Sequence, residues 1–248
     1  MQNSLKRNNL PLTDIDVIIL AGGLGSRLHE VLPDQQKVTA EIKGCPFIEH
    51  LIQQFVCAGA RRIVLAAGHL SEQVRAVAER PRDDSIDIEV SIEPEPLGTA
   101  GAIVFALNKI RSKTVLVANG DSYVGLDVAL LIAFHRRAHA ALTLSLISMD
   151  DGGRYGTVEI DEGNRVTAFR EKLPTKGRVN INAGVYVFEK VLIETFSKVV
   201  PLSLETDVLP LLIGQNVCAL RQDARFIDIG TPASLDEATG FFDSLTES

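Results

Sequence analysis

The chain has 248 residues, long for a minimal domain and short for two full ones; at 46% hydrophobic and 23% charged it lies near the globular average, which excludes disordered, collagen-like and coiled-coil architectures. With 25 Lys and Arg against 32 Asp and Glu the net charge is −7. That argues against a partner of nucleic acid or of an anionic membrane, both of which want a basic face, but it allows a small anionic ligand if positive charge is gathered in one place.

Residues 1–14 mix Gln, Asn, Lys and Arg without an apolar leader segment and read as a flexible head. No stretch approaches the roughly 18 apolar residues of a membrane span, so a cytoplasmic protein without a membrane partner is expected. Residues 15–248 then read as one domain with halves at about 15–125 and 126–248. Val17-Ile18-Ile19-Leu20 is a compact buried strand, and Pro46 to Ala58 places Ile48, Leu51, Ile52, Phe55 and Val56 on one helical face. Ile63 to Ala67 is the next strand, Ser71 is placed to cap a helix through Val74 and Val77, and Ile86, Ile88 and Val90 alternate as an edge-like strand. Thr99 to Asn108 is helical and leads into the strand Val115 to Ala118.

Such strict alternation of apolar strands and helices predicts an α/β fold, a Rossmann-like, mostly parallel sheet wound by helices, with the ligand at the carboxyl ends of the strands. The second half is strand-rich: Leu142 to Ile147, Thr157 to Ile160, Val166 to Arg170 and Gly184 to Phe188, separated by Asp/Gly/Asn turns. It predicts a mixed sheet extended by hairpins, closed by helical patterns at Leu204 to Ile213 and Ser234 to Leu245 around a last strand, Phe226 to Ile229. The three cysteines, Cys45, Cys57 and Cys218, have no metal-ligand spacing and read as small buried residues; the five histidines read as structural or surface groups.

The strongest local signal follows the first strand: Leu20-Ala21-Gly22-Gly23-Leu24-Gly25-Ser26-Arg27-Leu28. A glycine-dense turn lets backbone N–H groups converge on an anion. A dinucleotide fingerprint fails, because Leu28 stands where the third glycine belongs, and no Walker lysine follows. What remains is G-G-x-G-[ST]-R-L, with Arg27 placed to grip phosphate and Lys37 ten residues on.

This pattern resembles the sugar-1-phosphate nucleotidyltransferases, a family of GT-A-like fold, and later family motifs recur in order. Glu95 to Gly101 looks like the base-and-ribose segment, and Val117-Ala118-Asn119-Gly120-Asp121 the strand that ends in a metal-binding aspartate. Phe169-Arg170-Glu171-Lys172 is similar to the sugar-phosphate clamp, Asn182 to Tyr186 to the sugar pocket, and Phe226 to Pro232 to the strand carrying the second metal-binding aspartate. One departure stands out. The family usually reads P-K-P around its lysine, whereas here the segment is Asp34-Gln35-Gln36-Lys37-Val38-Thr39, without the prolines that stiffen the loop.

The resemblance implies attack of a sugar 1-phosphate on the α-phosphorus of a nucleoside triphosphate, with pyrophosphate as the second product. Both reactants are anionic, so the obstacle is charge repulsion, and a site needs a divalent metal and several cations. Asp121 and Asp228, each at a strand end, suit Mg²⁺. Arg27 and Lys37 are expected to hold the β- and γ-phosphates and Lys172 the sugar phosphate. Leu20, Ala21, Gly22, Gly23, Gly25, Ser26, Glu93, Gly98, Thr99, Asn119 and Gly120 are the expected nucleotide contacts; Tyr155, Gly156, Glu171, Asn182 and Ala183 are the expected sugar contacts.

Within the family, the segment from Glu93 to Gly101, the short chain and the Phe226 to Pro232 strand are most similar to bacterial members that transfer GMP from GTP to D-glycero-α-D-manno-heptose 1-phosphate for capsule or surface polysaccharide. Guanine would present its N1–H and N2 amine to an acceptor such as Glu93. Mannose 1-phosphate with GTP, or N-acetylmuramate or hexose 1-phosphate with UTP or dTTP, stay open as alternatives. So do a binding module that has lost catalysis, an NAD-type oxidoreductase on the same kind of sheet, and a homo-oligomeric assembly.

Overall fold

The computed structural model describes residues 10–23, 28, 31–150, 152–170 and 177–246. Its centre is a parallel sheet. Strand β1 (Asp16–Ala21) is followed by a small hairpin, β2 (Glu41–Ile42) and β3 (Cys45–Pro46), by helix α1 (Phe47–Cys57) and by β4 (Arg62–Ala67). Helix α2 (Ser71–Ala78), β5 (Asp87–Ile92), α3 (Gly98–Ala106) and β6 (Thr114–Asn119) complete the first half, and β1 pairs in parallel with both β4 and β6.

The Val-Ile-Ile-Leu run of β1 forms a strand because both of its faces are covered. Val17, Ile63 and Leu116 share one face and pack with Phe47, Ile48, Leu51, Ile52 and Phe55 of α1. Ile18, Val64 and Val117 point the other way, onto Ala100, Ile103 and Ala106 of α3. Each such buried side chain contributes roughly 1.5–3 kcal/mol, against at most about 1 kcal/mol for an exposed ion pair, so the apolar stripes rather than surface charges hold the layers together.

The second half adds β7 (Ser122–Val124), α4 (Val128–Ala138), β8 (Leu142–Met149), β9 (Thr157–Ile160), β10 (Val166–Arg170) and β11 (Val179–Glu189). It closes with the short helices α5 (Lys190–Ile193) and α6 (Leu209–Leu212), then β12 (Val217–Arg221), β13 (Phe226–Asp228) and α7 (Pro232–Thr246). Among the described residues the main sheet has nine strands, running β10-β9-β11-β6-β1-β4-β5 with β8 and β12 also joined through β11. The extension is not a simple set of hairpins: β11 runs antiparallel beside β6, its register against β8 shifts between Asn182 and Tyr186, and β12 pairs in parallel with β8.

The β2–β3 hairpin, β7, α4, α5 and β12 go beyond the sequence reading. Helix α4 carries a legible signal, since Asp127 caps it by accepting from Leu130 N at 2.9 Å and Val128, Leu131, Ile132 and His135 line its buried face. Strand β12, a short run whose first three residues are buried, pairs in parallel with β8. Several expectations need correction. Ser71 does not cap α2; Leu70 occupies the cap in the left-handed region, φ 53°, with no side-chain cap bond. The helix expected from Leu204 is broken into a π-type turn, Leu204–Val208, and the short α6. Cys57 is exposed and Cys45 half-buried, leaving only Cys218 buried. The end of the expected head is also tied down: Leu12 is fully buried and donates its amide to Ala58 O at 3.1 Å. His135 meets its structural expectation, held by Thr143 Oγ1 at 2.8 Å and Glu189 Oε1 at 3.2 Å. No helix among the described residues is long and apolar enough to cross a membrane.

Candidate active site

A cleft of about 690 Å³ opens over the carboxyl ends of β1 and β6. Its lining includes Leu20, Gly22, Gly23, Lys37, Glu93, Gly98, Thr99, Asn119, Gly120, Asp121, Tyr155, Gly156, Asn182 and Asp228, all singled out from the sequence. Ala21 and Ala183 do not line it. Strand alternation turns both methyls into the α1 side of the core, where they are almost fully buried, leaving only their backbone for a ligand. Gly25, Ser26, Arg27, Glu171 and Lys172 lie outside the described residues.

The two aspartates are brought together by a local device. After β6, Gly120 donates to Leu20 O at 2.9 Å and passes so close over the end of β1 that a Cβ there would stand 2.3 Å from that oxygen. The chain then turns into β7, which pairs antiparallel with β13 so that Asp228 faces Ser122, while Ile229 N donates to Asp121 O at 2.9 Å. Lys37 Nζ lies 2.5 Å from Asp121 Oδ2. Asp228 accepts both oxygens' worth of contacts from Arg154 Nη2, at 3.1 Å each, and a hydrogen bond from the Tyr155 hydroxyl; Gly230 N donates to its Oδ1 at 2.8 Å. Burial first, and the Asp228 carboxylate second, push the Tyr155 phenol well above its usual pKa, so Tyr155 stays a donor.

This donor set fits Mg²⁺. Two carboxylates at adjacent strand ends open onto one cleft, and the ion commonly takes one or two carboxylates, completing its shell with water and substrate phosphate.

Glu93, which also lines the cleft, accepts from Leu97 N at 3.3 Å and is wedged against glycines: a Cβ on Gly68 would stand 2.4 Å from its Oε1, and one on Gly22 2.9 Å away. Burial raises its pKa, the Leu97 amide opposing the shift. At the start of α3, Leu202 O accepts from Ala100 N at 2.9 Å and from Gly101 N at 3.2 Å, so these two amides are already engaged. Thr99 is engaged as well: its hydroxyl donates to Glu205 Oε2 at 2.8 Å and accepts from Leu204 N at 2.7 Å. Glu205 further accepts from Tyr186 OH at 3.4 Å, which in turn accepts from Asn182 Nδ2 at 2.7 Å. Gly184, at φ +74°, carries the register shift of β11 directly across Asn119.

Sequence reasoning missed Gln36, Arg154, Ser203 and Glu205, all of which line the cleft. Arg154 follows a Gly152-Gly153 turn and carries no motif beyond it, and Glu205 reaches the cleft only because its π-type turn docks on α3.

A family profile described as nucleotidyl transferase matches residues 16–244. A D-glycero-alpha-D-manno-heptose 1-phosphate guanylyltransferase of Aneurinibacillus thermoaerophilus is 37% identical over 220 residues, covering 88% of this chain and 94% of the relative. A mannose-1-phosphate guanylyltransferase of Mycobacterium tuberculosis is 34% identical over 221 residues, again 88% of this chain, which spans only 62% of that relative's length. Among solved structures, HddC from Yersinia pseudotuberculosis complexed with GMP-PN superposes with a TM-score of 0.81 at 33% identity, covering 92% of this chain and 99% of that one.

Proposed function

The chain belongs to the nucleotidyl transferase family, and from that premise we propose that it transfers GMP from GTP to D-glycero-α-D-manno-heptose 1-phosphate, giving GDP-heptose and pyrophosphate. The observation that carries the reading is the convergence of Asp121, Asp228 and Lys37 on one cleft that Glu93 also lines. Similarity over nearly the whole length of a heptose 1-phosphate guanylyltransferase supports the choice of sugar.

In this reading residues 15–125 form the nucleotide half and 126–248 the sugar half of one catalytic unit. The glycine turn, with Gly22, Gly23, Gly25 and Ser26, receives the triphosphate on backbone amides, and Arg27 and Lys37 hold its β- and γ-phosphates. Glu93 accepts from the guanine N1–H and N2 amine, a pair of donors that uracil and thymine lack. Tyr155, Gly156, Glu171 and Asn182 orient the sugar, and Lys172 holds its phosphate. Asp121 and Asp228 would hold Mg²⁺, which when bound supplies charge neutralisation at the reacting phosphates. A sugar-phosphate oxygen forms the new bond to the α-phosphorus, the bond from that phosphorus to the bridging oxygen breaks, and pyrophosphate leaves with the electron pair. No general base is needed, because the attacking oxygen is already ionised at neutral pH. The reading places the enzyme in the bacterial cytoplasm, where GTP is available, as a supplier of activated heptose for capsule or lipopolysaccharide, and is compatible with a homo-oligomer.

The test is pyrophosphate release with Mg²⁺ across GTP, UTP, dTTP, CTP and ATP, each paired with heptose, mannose and N-acetylmuramate 1-phosphates. Turnover highest for GTP with the heptose is expected. Preference for mannose 1-phosphate would favour the second reading, motivated by the mycobacterial relative, and no release with any pair would overturn the enzyme reading.

A further inference from the structure

Gln36 is a polar side chain only 2% exposed, in a loop, one residue before Lys37. Buried amides persist where they satisfy groups that would otherwise be orphaned. Here β1 and β4 are last in register at Ala21 and Ala67, and beyond that point their chains leave the ladder. The Gln36 amide fills the gap: Nε2 donates to Ala21 O at 2.9 Å and to His69 O at 3.1 Å.

Its backbone is held with equal care. Gln36 N donates to Gln73 Oε1 at 2.7 Å, and Gln36 O accepts from Thr39 N and Thr39 Oγ1, both at 2.8 Å. Gln73 also accepts from Thr39 Oγ1 at 3.1 Å and donates to Asp34 O at 2.8 Å. Residues on both sides of Lys37 are therefore fixed to α2 and to the end of β1. The φ of Gln36, −66°, is the value a proline ring would impose, so hydrogen bonds here do what a ring could do covalently. Lys37, which this clamp precedes, reaches Asp121 with a side chain only 14% exposed.

We propose that Gln36 is a positioning residue for Lys37: its buried amide ties the root of the glycine turn to the turn that carries the lysine, so that the triphosphate meets Lys37 already in place. The proposal rests on the reading that the turn and Lys37 hold the phosphates of GTP.

A double-mutant cycle tests it. The dissociation constant for GTP with Mg²⁺ and the turnover number are measured for the wild type, Gln36→Met, Lys37→Met and the pair. Methionine fills the volume without the donors, so Gln36→Met is expected to weaken GTP about tenfold, with the double variant no weaker than Lys37→Met alone, because a residue acting through Lys37 has nothing to act on once it is gone. Unchanged affinity in Gln36→Met, or factors that multiply in the double variant, would overturn the assignment. Should Gln36→Met not melt cooperatively, Gln73→Leu takes its place: it removes the acceptor for Gln36 N and is expected to weaken GTP about threefold, again without multiplying on Lys37→Met. A lowered Tm with unchanged GTP affinity in that variant would equally overturn it. A wild type that binds no nucleoside triphosphate overturns the underlying reading, whereas a wild type that binds GTP with multiplying factors overturns only the role of Gln36.

Discussion

Replacing Gly184 by alanine tests how tightly the fold is coupled to the cleft. Gly184 has φ +74°, and an added Cβ would stand 2.8 Å from Asn119 Nδ2 and 3.1 Å from its Cβ and Cγ. The left-handed conformation costs a residue with a Cβ about 1–2 kcal/mol. Overpacking against Asn119 adds roughly 1–3 kcal/mol, because Asn119 sits at the end of the central strand β6 and its Cβ cannot swing away as the tip of a long side chain could. The sum is about 2–5 kcal/mol, or a fall in Tm of roughly 4–20 °C for a chain of this size. Thermal melting followed by circular dichroism measures it, with Gly240→Ala as the control: a Cβ there meets nothing within 4 Å in α7, and helix propensity predicts a slight rise in Tm. Asn119 lines the cleft, so GTP affinity should fall along with stability. A Gly184→Ala protein melting within about 2 °C of wild type, with unchanged GTP binding, would refute the claim that the β11 register shift is rigid and needs glycine.

Three further outcomes are expected. Glu93→Gln should raise stability at neutral pH while lowering kcat/KM for GTP by about 10- to 100-fold, since glutamine cannot accept two guanine donors. The sign follows from burial: the folded pKa lies above the unfolded one, so Glu93 destabilises the fold as pH rises through that window, and melting temperatures of wild type and variant should converge at acid pH; a constant gap down to pH 3 would contradict it. Tyr155→Phe should raise the Mg²⁺ concentration needed for half-maximal turnover about tenfold with little change in the maximum, and an unchanged metal titration would remove Tyr155 from its role on Asp228. Asp121→Asn should leave the melting curve nearly intact yet lower metal-dependent turnover by more than about 100-fold; retained turnover with the same Mg²⁺ dependence would exclude it as a ligand.

Much of the fold was legible in the sequence for a simple reason: strands buried on both faces must be continuous apolar runs, and helices packed on them must carry stripes at helical spacing. Val17 to Leu20 and the α1 face are of that kind, and the glycine turn after β1 marks a ligand edge before any coordinate is known. What sequence left undetermined depends on contacts between segments far apart in the chain. Whether Asp121 and Asp228 meet is decided by the pairing of β7 with β13, two three-residue strands of which only β13 shows in the sequence. Glu205 enters the cleft only because its turn docks on α3, and Arg154 matters only because it reaches Asp228. Gln36 is the sharpest case. In the sequence it is a polar loop residue beside Lys37, at the place where the P-K-P pattern of the resembled family has a proline, and only the tertiary structure shows it buried, because the carbonyls it satisfies belong to Ala21 and His69 on either side of it in the chain. Local pattern determines what each segment can bury; which unpaired groups then face one another is settled by the packing of the whole.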